Sequence, residues 1–268
     1  MAATQQEKGQ RFVELHQGDP FVIPNPWDAG SAKVFATLGF HALATTSGGF
    51  AFTLGRQDGH VTLDEVVEHT HALAQATELP VSVDLENGHG PRAEDAARAI
   101  ERVAEAGAVG GSIEDYDRDG ARLYELSEAV DRVTASVEAA RGVDFPFVLT
   151  ARAENHFRGN PDLDDTIARL QAFERAGADV LYAPGLRTLD EIRAVCEATT
   201  KPVNVHSRPK LSFADVAGAG AQRVSVGASL AFAAVAAMAE AAEAIREEGD
   251  FGATTLTPKL ADWLAGLD

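Results

Sequence analysis

Cysteine is nearly missing from this 268-residue chain: Cys196 stands alone. No internal disulfide can form, which suits a reducing cytoplasm and makes a cytoplasmic protein the expectation. Basic residues are also short, with 23 Lys and Arg against 41 Asp and Glu and a formal net charge of −18. Affinity for nucleic acid comes largely from basic side chains, so no nucleic-acid partner is expected. The same charge disfavours an anionic membrane surface. No apolar run approaches the roughly 20 residues that span a bilayer, and Met1–Lys8 lacks a secretory apolar core. Gly-x-Ser-x-Gly, Cys-x-x-Cys and His-x-x-x-His are absent. Asp115, Asp117 and Asp119 start like a calcium loop, but no glutamate follows Gly120 at the required spacing.

What is present is a repeated junction, an Ala-rich amphipathic segment that ends at glycine and gives way to an apolar run. It occurs at Gly39, Gly107, Gly177 and Gly220. Glycine just past a helix adopts the left-handed conformation that other residues resist. The cadence predicts strands over 21–24, 42–46, 81–84, 109–113, 146–150, 179–182, 202–205 and 222–226. Helices are predicted over about 28–38, 62–78, 92–106, 122–141, 162–176, 188–198, 212–218 and 229–248. Pro80, Pro146 and Pro202 sit at or before strand starts, where a missing donor is tolerated. No Gly-x-Gly-x-x-Gly follows the first strand, so an α/β fold of (β/α)₈ barrel type is expected rather than an open sheet. One domain is read over 1–268, with the barrel over about 20–250. A helical tail over 254–268 carries Leu256, Leu260, Trp263, Leu264 and Leu267, able to cover its own barrel or a neighbouring subunit.

In such barrels the chemistry sits at the C-terminal strand ends. Val81–Asp84 runs into Glu86, and Gly111–Ile113 runs into Glu114. Strand residues i and i+2 share a face, so Asp84 and Glu86 point together, with Glu114 beside them if the strands are neighbours. Such an all-oxygen set suits Mg²⁺, with Mn²⁺ as a substitute. Asp58, in the loop after the second strand, assists through water or serves as a surface turn. Thr46, Ser47, Gly48 and Gly49 form a small-residue segment whose N–H groups can approach a carboxylate, or a plain loop. Arg152 is the candidate clamp for that carboxylate, with Glu154 as its alternative partner. Asn204 and His206 share a face and can reach substrate oxygens. Asp28 reads as a helix N-cap, Trp27 as packing at the barrel mouth beside the substrate, and Cys196 as core.

With these residues in view, the chain resembles the isocitrate lyase/phosphoenolpyruvate mutase superfamily from about residue 20 to 250. Pro26–Ala29, Thr46–Gly49, Asp84–Gly90, Ile113–Asp115, Ala151–Arg152 and Asn204 follow its motifs in order. The resemblance implies a (β/α)₈ barrel, Mg²⁺, and a homo-oligomer, dimer or tetramer, with a swapped C-terminal helix. It also implies cleavage of a C–C bond in a small 2-oxo or 2-hydroxy carboxylate through an enolate. The Lys-x-Cys-Gly-His loop of the isocitrate and methylisocitrate lyases is missing; Tyr116–Tyr124 stands there. Glu86 replaces an aspartate, and Tyr182–Gly185 lacks a glutamate. The reading assigns catalysis to Arg152, Glu114, Tyr116 and His206, the proton donor being Tyr116, His206 or water, with Arg122 supporting. Thr46, Ser47, Gly48, Gly49, Trp27, Arg152 and Asn204 bind substrate. Asp84, Glu86, Glu114 and Asp58 hold the metal. A phosphonomutase or phosphonopyruvate hydrolase acting on a P–C bond stays open, as do an inactive metabolite-binding barrel and an aldolase running in reverse.

Overall fold

The computed structural model describes residues 3–255 and 257–265. Its strands, in chain order, are β1 (Phe21–Ile23), β2 (Leu43–Ala44), β3 (Val81–Asp84), β4 (Gly110–Glu114), β5 (Tyr116–Asp117), β6 (Arg122–Leu123), β7 (Val148–Arg152), β8 (Val180–Tyr182), β9 (Val203–His206) and β10 (Arg223–Ser225). The helices are α1 (Gln5–Gln17), α2 (Ala29–Thr37), α3 (Ser47–Thr53), α4 (Leu63–Ala76), α5 (Ala93–Glu105), α6 (Leu126–Gly142), α7 (Leu163–Arg175), α8 (Leu189–Ala198), α9 (Phe213–Gly218), α10 (Ser229–Glu248) and α11 (Pro258–Ala265).

Eight strands pair in parallel in the order β1-β10-β9-β8-β7-β4-β3-β2. The seam between β1 and β2 is bridged by Ala44 N–H donating to the Pro24 carbonyl at 3.1 Å. Asn25 adds a second bridge, donating to the Thr45 carbonyl at 2.9 Å. The result is a TIM-type barrel with helices outside it. The four junction glycines turn helix into strand as expected: Gly39, Gly107, Gly177 and Gly220 have φ of 86°, 107°, 102° and 106°. A side chain there would cost about 1 kcal/mol or more. Asp28 caps α2, its carboxylate accepting from Ser31 N–H at 2.7 Å.

Three elements depart from the expected string. Residues 122–125 do not begin a helix. β6 pairs antiparallel with β5 as a hairpin over the barrel mouth, and α6 starts at Leu126. The segment after β2 is the short helix α3, capped by Thr46. Ahead of the barrel lies α1, started by a Thr4/Glu7 capping box. Its Phe12 is fully buried with Phe21, Ile23, Ala42, Val109, Val148 and Val180 and plugs the barrel floor. Gly110 makes room for it, since a Cβ there would stand 2.7 Å from Phe12 Cε1 and 3.0 Å from the Val148 carbonyl.

In the tail, α11 covers part of the expected helical segment, with Leu264 exposed. Leu256 and Leu267 lie outside the described residues. α10 buries one residue of its twenty, Ala231. Among the described residues no helix is long and apolar enough to cross a membrane.

Removing the floor plug leaves a cavity with no means of collapse. Phe12→Ala should lower the unfolding free energy by about 3–5 kcal/mol, measured by urea titration. Gly110→Ala should also destabilise, through overpacking against the same ring.

Candidate active site

Ladder register sets the site. Glu114 pairs with Arg152, Arg152 with Tyr182, Tyr182 with Asn204, and Asn204 with Arg223. Register partners on neighbouring strands share a face, here the barrel interior. The row descends as it goes round. Glu114, Arg152 and Tyr182 end their strands, whereas Arg223 begins β10. Four of the row, Arg152, Tyr182, Asn204 and Arg223, line a cavity of about 340 Å³ together with Ser47, Asp84, His206 and Arg118.

At the mouth, charges form one connected network. Arg152 lies 3.8 Å from Asp84 and 3.4 Å from Glu114, and its Nε meets Glu154. Arg158 reaches Glu114 at 3.3 Å and Glu154 at 2.8 Å. Arg118, at the tip of the β5–β6 hairpin, meets Glu86 and lies 3.3 Å from Asp58 and 3.9 Å from Glu114. Five carboxylates therefore share three guanidiniums, leaving two negative charges in excess when all are ionised. Burial works against the charge on Asp84, but Arg152 and the N–H groups of Ser47 and Glu86 hold its carboxyl below the usual range. Burial pushes Glu86 up to about 7 against the pull of Arg118. Burial, and then the charge of Glu154, raise Glu114 well above the ordinary carboxyl value.

Asp84, Glu86 and Glu114 thus gather around shared cations, although not by strand alternation. β3 ends at Asp84, and Glu86 takes left-handed backbone at φ 51°. Asp84 faces the cavity, whereas Glu86 and Glu114 lie buried behind Arg118 and Arg152. Asp58 lines the cavity from its loop. Thr46, Ser47 and Gly48 line it too, and Ser47 N–H donates to Asp84 at 3.3 Å. Gly49 lies behind them, its N–H on the Thr46 hydroxyl. Asn204 and His206 line the wall; His206 is held neutral by burial and donates Nδ1–H to the Ser207 carbonyl. Trp27 packs edge-on against Phe35, outside the lining. Tyr116 also stands outside, under the Arg158 guanidinium at 3.9 Å. Arg122 pairs with Glu128 on the surface. Asp117 and Gly120 form the hairpin turn, the Gly120 N–H donating to Asp117.

Sequence reasoning missed Arg118, Arg158, Tyr182, Arg223 and Asn25. Asn25 accepts from the N–H groups of Val226 and Gly227 at 2.9 Å each and ties the β10 loop to the mouth. Its flanking prolines, Pro24 and Pro26, were the available signal. Tyr182 stands at a strand end, where the resemblance draws attention only to the lack of a glutamate.

Among the described residues no three His, Cys, Asp or Glu side chains form a ready-made ligand set, because the guanidiniums of Arg118 and Arg152 stand between the acids. Mg²⁺ does not require one; it keeps several waters and takes one or two carboxylates plus substrate oxygens. Asp84 at the cavity wall fits that role. So does the gathering of five carboxylates against three guanidiniums at the mouth.

Residues 12–246 match the signature of the phosphoenolpyruvate phosphomutase family. The chain belongs to that family, within the isocitrate lyase/PEP mutase superfamily of lyases and mutases. An oxaloacetate decarboxylase of Bradyrhizobium sp. (strain BTAi1 / ATCC BAA-1182) is 31% identical over 208 residues, 75% of this chain and 70% of the relative. The 2-methylisocitrate lyase of Escherichia coli (strain K12) is 31% identical over 205 residues, 73% and 68% of the two chains. A crystal structure of a candidate lyase/mutase from Burkholderia cenocepacia J2315 superposes with a TM-score of 0.93 at 47% identity, covering 97% of this chain and 96% of the other. A phosphonopyruvate hydrolase bound to oxalate and Mg²⁺ superposes at 0.85 and 25% identity, covering 97% and 95%. Mg²⁺ is thus bound within the superfamily.

An acid whose folded pKa exceeds its unfolded value gains a proton on folding, so its contribution to stability is lost as pH rises through that window. For Glu86 the window runs from about 4.5 to about 7. In EDTA, Glu86→Gln should therefore gain on the wild type between pH 5 and 8 by about 2–3 kcal/mol, read from paired urea titrations.

Proposed function

We propose that this family member is a Mg²⁺-dependent lyase that breaks a C–C bond of a small 2-oxo or 2-hydroxy diacid through an enolate. The observation that carries the reading is the charge network at the mouth, five carboxylates against three guanidiniums, with Asp84 held ionised and facing a cavity that Arg152 also lines. The oxaloacetate decarboxylase relatives make oxaloacetate the first substrate to assay. Asp84 would hold the cation, with Glu86, Glu114 and Asp58 reaching it through water. Bound there, Mg²⁺ supplies a Lewis acid for charge developing on an oxygen.

This chain's own groups do the rest. Arg152 offers a fixed guanidinium to the substrate carboxylate, its charge secured by Glu154 and Glu114. Asn204 donates from the wall. The proton donor is assigned to Tyr182. Of the three tyrosines, Tyr116 stacks on Arg158 and Tyr124 accepts from Asn87. Tyr182 alone lines the cavity, and burial raises its hydroxyl above the usual value, so it holds its proton at neutral pH. The hairpin carrying Arg118 closes over the mouth where isocitrate and methylisocitrate lyases carry their cysteine loop, which argues for a smaller substrate.

The same reading carries a homo-oligomer in which α10 lies against a neighbouring subunit, since Phe232 and Met238 are exposed on a helix that its own barrel leaves bare. A cytoplasmic location goes with it.

Purified protein should release CO₂ or a two-carbon acid from oxaloacetate with Mg²⁺ and lose that activity in EDTA. Turnover untouched by chelation would overturn the reading, and release of phosphate from phosphonopyruvate in ³¹P NMR would replace it with P–C chemistry. Tyr182→Phe should lower kcat by about 100-fold or more while oxalate affinity holds.

A further inference from the structure

The barrel floor is the electrostatic opposite of the mouth. Arg223 is buried at the start of β10 and reaches the cavity from below. Its three hydrogen-bond partners are all uncharged. Nε donates to Asn204 Oδ1 at 2.8 Å, Nη2 to Thr150 Oγ1 at 3.0 Å, and Nη1 meets His16 Nε2 at 3.1 Å. Among the described residues no carboxylate pairs with it, whereas Arg118, Arg152 and Arg158 each have at least two.

The floor's hydrogen-bond directions are fully determined. His16 Nδ1 lies 2.7 Å from the Phe12 carbonyl, which can only accept, so Nδ1 carries the hydrogen and Nε2 accepts from Arg223. Burial, and then Arg223 itself, lower the His16 pKa to about 3, so the ring adds no charge. A guanidinium has no acceptor, so the Asn204 group facing Arg223 must be its oxygen. The amide cannot be flipped. Its Nδ2 then donates to Ser225 Oγ at 3.0 Å and retains one further hydrogen, on a residue that lines the cavity.

We infer that Arg223 is a positioning and charge-selecting residue, which locks Asn204 with its amide nitrogen toward the cavity and sets an uncompensated positive charge beneath the ligand, so that the site favours a dianion over a monoanion. A buried cation without a counter-ion is costly, and an anionic ligand supplies the missing charge. The inference rests on the proposed function only in taking the cavity as the substrate site. The substrate class narrows to small acids with a second anionic group directed at the floor.

Calorimetric titrations with oxalate, a dianion, and pyruvate, a monoanion, in saturating Mg²⁺ test this. In wild type the oxalate affinity should exceed that for pyruvate. Arg223→Met should lower the oxalate affinity by about tenfold or more and the pyruvate affinity by no more than about threefold. Arg223→Lys, which keeps the charge but not the fork, should weaken both ligands while holding their ratio within about threefold of wild type. It decides the matter alone if the Met variant does not fold. A folded Met variant with the wild-type ratio, or a Lys variant whose ratio collapses, overturns the inference and leaves the lyase reading intact. Wild-type protein that binds neither ligand removes the lyase reading and the inference with it.

Discussion

Arg152 is the hinge of the molecule's chemistry. It ends β7, is largely buried, and is shared by Asp84, Glu114 and Glu154. Three acids around one guanidinium cannot all be neutralised, and desolvation makes the surplus expensive. Arg118 and Arg158 relieve part of it, and each brings a loop with it. Arg118 draws the β5–β6 hairpin inward, while Arg158 ties the segment after β7 to Glu114 and stacks on Tyr116 of the same hairpin. The loops over the mouth are thus held largely by the electrostatic need of the residues beneath them. Burial raises Glu86 and Glu114 toward their neutral forms, whereas Asp84 is held ionised and borders the cavity.

Along the barrel axis the sign reverses. The mouth holds surplus carboxylate and the floor holds Arg223 without one. A ligand between them meets a cation-attracting rim and an anion-attracting base, with Arg152 and Tyr182 at the strand ends and Asn204 below them. That polarity suits a small acid carried in with a divalent cation, its far oxygens toward Asn204. It gives α1 a role beyond plugging the barrel, because His16 of that helix fixes the direction of the lowest hydrogen bond.

The barrel was legible because its signals are local. A left-handed glycine after each of four helices, and apolar runs of strand length between them, depend on neighbouring residues alone. The acid-tipped ends of β3 and β4 were legible for the same reason. The arginine network was not, since Arg118, Arg158 and Arg223 look like ordinary surface charge until topology brings them inward. Strand periodicity misjudged how Glu86 is presented, because the strand stops two residues earlier and a left-handed turn supplies the alignment. The hairpin at 116–123 was masked by helix-forming residues from Arg122 onward, where pairing between Tyr116 and Leu123 overrides propensity. Helix α1 carried its own capping box at Thr4 and Glu7, but its role at the floor depends on Phe12 meeting Gly110, almost one hundred residues away.

The central claim is that the mouth is short of positive charge and takes a divalent cation at Asp84. Titration of the metal-free protein with Mn²⁺, followed by electron paramagnetic resonance of the free ion, tests it without reference to any substrate. The account predicts one ion bound per chain, displaced by Mg²⁺, with affinity reduced by about tenfold or more in Asp84→Asn. A wild-type chain that leaves Mn²⁺ free in solution, or a variant that binds it equally well, would contradict it.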